Sequence, residues 1–135
     1  MKILQLLALC ACIFVFIGCT NYGKKYSPDK THEVYYKGDG VDEATASKLF
    51  DFLKANSYFV ADHGATVQIN KVKDTFHLSF VYDEKMVDAD REAKFMSFGG
   101  QIDRNVFGGA PMTIKLCDEN MKMFKNIGYV RPSGE

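Results

Sequence analysis

This sequence has little cysteine where a disulfide would need it. Of its four cysteines, Cys10, Cys12 and Cys19 crowd the N-terminus and only Cys117 lies beyond. A lone thiol closes no internal disulfide, so the folded part must hold by packing, even in an oxidising compartment. Charge of one sign is missing too. There are 17 Lys+Arg against 17 Asp+Glu, a formal net charge of zero. With no basic excess to neutralise phosphates, nucleic acid is not an expected partner. His32, His63, His77 and Cys117 show none of the short spacings of zinc sites, so neither a metal nor a cofactor is expected. Gly38-Asp39-Gly40 precedes a helical pattern but lacks the lysine of a phosphate loop, and Asp39 would repel phosphate. No internal repeat and no low-complexity tract stands out.

What is present begins at the front. Lys2 supplies a positive start, Leu6 to Ile17 is an unbroken apolar run, and Gly18-Cys19 ends it. A bilayer core needs about 20 apolar residues of helix. This run is shorter and Gln5 interrupts its approach, so a secretory signal fits better than an uncleaved span. Phe16-Ile17-Gly18-Cys19 resembles the lipobox of bacterial lipoproteins, in which cleavage precedes the cysteine and the thiol is acylated. A bulky residue at the third position before the cut suits that motif, although leucine is usual. The resemblance implies attachment to the membrane through Cys19, and Thr20 with no acidic run after it implies a periplasm-facing position. The organisation that follows is a signal over residues 1–18, a lipidated cysteine and flexible tether over 19–31, one domain over 32–130, and a frayed end over 131–135. Such a tether would have a mean reach of about 20 Å and lift the domain off the bilayer.

The part after the signal retains all seven tyrosines and all but two of the eleven phenylalanines, enough apolar area for a small core. Val34-Tyr35-Tyr36 reads as a strand stopped by Gly38-Asp39-Gly40. Asp42 suits an N-cap, and Ala46, Leu49, Phe50 and Leu53 fall on one helical stripe. Asn56-Ser57 suits a left-handed helix end. Thr66–Asn70 and Phe76–Tyr82 alternate on either side of a polar turn and predict a hairpin. A second helix is expected over 89–106, with Gly99-Gly100 admitting close approach to the sheet at about 1 kcal/mol per glycine. Met112, Ile114 and Leu116 alternate as a last strand. Residues 118–135 read as a tail that packs partway, across the open face of the sheet.

The order β-α-β-β-α-β, with right-handed crossovers, predicts an α+β fold of the ferredoxin-like, split βαβ kind. Four antiparallel strands would carry two helices on one face, with Val34–Lys37 and Phe76–Tyr82 in the middle and Thr66–Asn70 and Met112–Cys117 at the edges. Val67, Ile69, Phe76, Leu78, Phe80, Ile114 and Leu116 would face the helices. Gln68, Asn70, His77, Ser79, Val81, Thr113 and Lys115, with Cys117, would face the other way and form the candidate binding surface. Val34-Tyr35-Tyr36-Lys37-Gly38-Asp39-Gly40, Tyr58-Phe59, Asn105-Val106-Phe107-Gly108-Gly109 and Leu116-Cys117-Asp118-Glu119 also resemble a small bacterial domain of membrane-attached or exported proteins. That likeness implies no catalytic residues.

Chemistry finds little support. Cys117 lies beside Asp118-Glu119, which raise a thiol pKa instead of activating it. Asp83-Glu84 and Asp88-Asp90 belong to a solvated connection and not to an apolar acid–base site. The expectation is therefore a non-enzymatic, lipid-anchored module of the bacterial cell envelope that binds an envelope protein. The alternative is an inhibitor or immunity-type lipoprotein that blocks a toxic or lytic enzyme, with Asp62-His63-Gly64 as its loop.

Overall fold

A computed structural model describes residues 21–130. The signal and Cys19, and the end expected to fray, lie outside the described residues.

Six strands and two helices follow in chain order: β1 (Lys24–Tyr26), β2 (His32–Gly38), α1 (Glu43–Ala55), β3 (Ala65–Val72), β4 (Thr75–Val81), α2 (Ala89–Val106), β5 (Met112–Cys117) and β6 (Met123–Val130), with a short 3-10 turn at Glu84–Met86. Local signals explain most of the boundaries. The Asp42 side chain accepts from the Thr45 N–H and opens α1, and Asp88 does the same for α2 through Arg91. Ser57, at φ 62°, turns the chain out of α1, and the Tyr58 and Phe59 N–H groups both donate to the Leu53 carbonyl. These bonds satisfy a helix end that would otherwise leave carbonyls orphaned.

The strands lie side by side in chain order, β1-β2-β3-β4-β5-β6. Pairs β2–β3 and β4–β5 are parallel; β1–β2, β3–β4 and β5–β6 are antiparallel. This corrects the ferredoxin-like expectation. The sheet is mixed, not antiparallel, and has six strands instead of four. Val34–Lys37 is no longer central, and Thr66–Asn70 moves from the edge to the middle. The physical reason is competition for strand edges. In the split arrangement the first strand is flanked by two core strands. Here Lys24–Tyr26 folds back through a short loop and takes one edge of β2, and Met123–Val130 takes the outer edge of β5. Only one edge of each strand remains, so each helix must link neighbours. The stretch read as a tether thus enters the sheet from Lys24 onward, and the tail read as crossing the sheet is an edge strand.

Both helices step the same way across the sheet, yet their starting strands β2 and β4 run in opposite directions. Two right-handed crossovers would then place the helices on opposite faces. They share one face: Phe52 of α1 stacks on Phe98 of α2 with centroids 6.0 Å apart. Phe50 of α1 packs on Phe59, and Phe95 of α2 packs on Phe80. The two crossovers therefore have opposite hands, and one is the rare left-handed kind. The two halves are mirror-related in topology, which no repeat of a single βαβ unit could produce.

The core lies between that face and the helices. Val34, Val67, Phe80 and Leu116 are in register across four strands and fully buried; Ile69, Leu78 and Ile114 form the next row. The expected inward residues are inward, with Phe76 half-buried and stacked on Phe107 at 4.3 Å. Gly99 has the expected cause. A Cβ there would come within 2.0 Å of the Ile114 side-chain tip, so glycine lets α2 approach the sheet this closely without displacing the buried Ile114.

Candidate functional site

The residues of the candidate binding face are neighbours, as alternation requires. Tyr35, Gln68, Ser79 and Lys115 form one row, and Lys37, Asn70, His77, Thr113 and Tyr129 form the next. Val81 pairs with Cys117. The face is not a free platform, however. Residues 21–22 lie over it: Lys37 Nζ donates to the Asn21 carbonyl at 3.2 Å, and Gln68 Nε2 donates to the Tyr22 carbonyl at 2.9 Å. The Tyr22 ring meets Tyr35 edge-on at 5.7 Å, and its hydroxyl donates to the carbonyl of Asn120 at 3.0 Å. That bond ties the incoming chain to the β5–β6 turn. Beneath this cover, Ser79 and Cys117 are buried, and Thr113 Oγ1 donates to the Gly128 carbonyl. What stays accessible is the end of the face near the β3–β4 turn.

His77 and Cys117 share the face but not a site. They stand four residues apart along the paired strands, about 13 Å. The Cys117 thiol is pushed up by burial, with Asp118 adding to it and the Ser79 hydrogen bond and Lys115 opposing. His77 is pushed down by burial and by Lys115. A thiol held protonated, with no base in reach, is a poor nucleophile. Among the described residues no group of three His, Cys, Asp or Glu side chains is placed to hold a metal ion.

The Asp62-His63-Gly64 loop is exposed, and the backbone at His63 belongs to a latch. His32 is buried, and its Nδ1 meets the Asp29 carboxylate. Its Nε2 faces the Val60 and His63 carbonyls, each at 2.8 Å. All three partners only accept, an arrangement that favours hydrogen on both ring nitrogens and so the imidazolium form. Burial alone would lower its pKa, but Asp29 and the two carbonyls outweigh that and raise it above 6.5. Asp29 in turn falls to about 2, mainly because the His32 backbone N–H donates to it. The ring stacks on Phe59 at 4.7 Å. Loop 60–63 is therefore fastened to the start of β2.

Beside this latch, on the helix side, opens a cleft of about 230 Å³ lined by Asn56, Ser57, Tyr58, Tyr82, Arg91, Lys94, Phe95 and Phe98. Three elements supply it: the turn that ends α1, the end of β4, and the first half of α2. Tyr58 and Phe98 stack at 5.9 Å, and the Arg91 guanidinium sits over Tyr82 at 5.9 Å. Burial holds the Tyr58 hydroxyl well above the ordinary phenol range. Two cations and four aromatic rings line the walls, with no carboxylate among them. Such a surface suits an anionic group next to an apolar one, through charge and ring faces together.

None of the cleft residues belongs to the face expected from the sequence. The available signal was thin: Arg91 and Lys94 lie three apart on one helix, and Asn56-Ser57-Tyr58 closes another. Only the fold brings them together.

A family model, the AF_1994_N family N-terminal domain, matches residues 29–128. The chain belongs to this family. The matched span of this family member includes the latch, both helices and every cleft residue, and leaves Asn21, Tyr22 and β1 outside. No curated protein and no solved structure matches the chain.

Proposed function

We propose that this family member is a lipid-anchored binding module of the bacterial cell envelope, and that the cleft between α1 and α2 is where its partner docks. The partner segment would carry a carboxylate or similar anion beside an apolar or aromatic side chain. The observation that carries this reading is the lining of the cleft. A protein with a formal net charge of zero gathers Arg91 and Lys94 with Tyr58, Tyr82 and Phe98, and keeps acids out. Enzymatic work has no support in the residues brought together, and the reading is one of binding alone. Attachment through Cys19 rests on the lipobox-like ending of the apolar run; no described helix is long and apolar enough to cross a membrane.

The test is photo-crosslinking in cells from Asn56, on the rim of the cleft, beside Asn70 and Lys115 on the opposite face. The expected result is one dominant adduct from Asn56 that disappears when Arg91→Glu and Lys94→Glu are combined in a folded protein. An adduct that survives the reversal, or one that forms only from Asn70 or Lys115, would move the docking surface away from the cleft.

A further inference from the structure

The chain enters the fold at one end of the sheet. Asn21 is held by Lys37 at the close of β2, and only Thr20 separates it from Cys19. Two residues span at most about 7 Å. If the thiol is acylated, as the reading above requires, the lipid leaves the domain beside this end and no slack lifts the domain away.

The same end carries exposed apolar groups. Val72, at the tip of β3, and Tyr129, near the end of β6, are each 49% exposed. Alternation puts both on the face opposite the helices. Tyr129 pairs with Thr113, next to His77. Lys37 shares their face and Lys73 sits at the turn, whereas Lys24 pairs with Tyr36 and Lys71 lies over the Phe76 ring on the helix side. Asp39, Asp42, Glu43 and Asp74 are acids at this end, the middle two in one hollow with Lys24 and Lys37. The far end of the same face is acidic, with Asp83, Glu84, Asp118 and Glu119 around one hollow against Lys85. With balanced charge and exposed apolar groups at the anchored end and an excess of carboxylates at the other, the anchored end is the one that an anionic surface repels least. Tyrosine suits the depth at which such a surface changes from polar to apolar.

We propose that the β3–β4 turn and the end of β6 rest in the headgroup layer of an anionic membrane, with Val72 and Tyr129 immersed. This rests on the lipid-anchor reading and adds an orientation to it. The cleft opens near the starts of β3 and the end of β4, the opposite end of an eight-residue strand. It therefore points away from the bilayer by about 25 Å.

The chain has no tryptophan, so an introduced one reports alone. Val72→Trp, Tyr129→Trp and, on the exposed side of α1, Asp51→Trp would be made in the full acylated chain. Each is reconstituted in vesicles of phosphatidylglycerol and brominated phosphatidylcholine. Mass spectrometry reads the acyl chains, and sedimentation reads attachment. The expected result is loss of about half the emission at positions 72 and 129 and little at 51, as for groups lying 5–10 Å into the interface. Acylated, sedimenting protein with no quenching at 72 and 129, or with equal quenching at 51, overturns the orientation and leaves the anchor standing. Chain that is not acylated and does not sediment overturns the anchor, and the orientation with it.

Discussion

The two ends of the sheet are fastened by different means. At the cleft end the buried His32 ring joins two segments that are distant in sequence: the start of β2, with Asp29 just before it, and the Val60–His63 loop. At the turn end no such network exists among the described residues. There the backbone itself comes close. Gly38 has φ 102°, and a Cβ on it would lie 2.4 Å from the Lys71 carbonyl oxygen. One end is held by charge and hydrogen bonds, which respond to pH. The other is held by the absence of a side chain, which does not. The end that we propose meets a membrane is the one whose structure is independent of protonation.

Breaking each fastener separately tests that contrast. Gly38→Ala places a side chain where backbone blocks it, at a φ that L-residues rarely adopt, and should cost about 3 kcal/mol. Urea unfolding should show the same loss at pH 6 and pH 9. His32→Gln keeps a polar side chain but cannot donate from two ring positions at once. It leaves buried carbonyls short of a donor and should cost about 2 kcal/mol at pH 6. The pH dependence has a definite sign. The folded-state pKa of His32 lies above 6.5. Its contribution is therefore fully present below 6.5 and is lost as pH rises through the raised value. Wild-type stability should fall across that window, and His32→Gln should flatten the fall. If the pH dependence survives in His32→Gln, the imidazolium is not its source and the two ends do not differ as argued.

How much of this was legible in the sequence follows from the range of each interaction. The Asp42 cap, the α1 stripe of Ala46, Leu49, Phe50 and Leu53, the Ser57 turn and the bounds of α2 all depend on neighbours within a few residues, and all were readable. So was the alternation that sorts Leu78 from His77. Strand order was not, because it depends on which segment reaches an edge first. β1 has three residues, too few for a pattern. β6 hides its period: the β5–β6 register shifts between Ile114 and Lys115 and again between Leu116 and Cys117, so its buried residues do not alternate. The cleft was invisible for a related reason. Tyr58, Tyr82 and Phe98 each look like an ordinary apolar position, and only the unusual pairing of crossovers sets them around one opening.

The smallest expected effect lies at the seam between the two ends. Tyr22 bridges them, with its carbonyl on Gln68 and its hydroxyl on Asn120. Tyr22→Phe removes only the hydroxyl bond and keeps the edge-on contact with Tyr35. Because both bonded groups are at the surface and water can replace the partner, the loss should be about 0.5 kcal/mol. Amide exchange should resolve what bulk unfolding barely registers. The strap and the β5–β6 turn should open more often in Tyr22→Phe, exposing Cys117 to a thiol reagent several-fold faster, while protection of β3 and β4 stays unchanged. Were Cys117 to react at the wild-type rate, its burial would come from the β5–β6 turn alone. The incoming chain would then be a passenger on the face and no part of its cover.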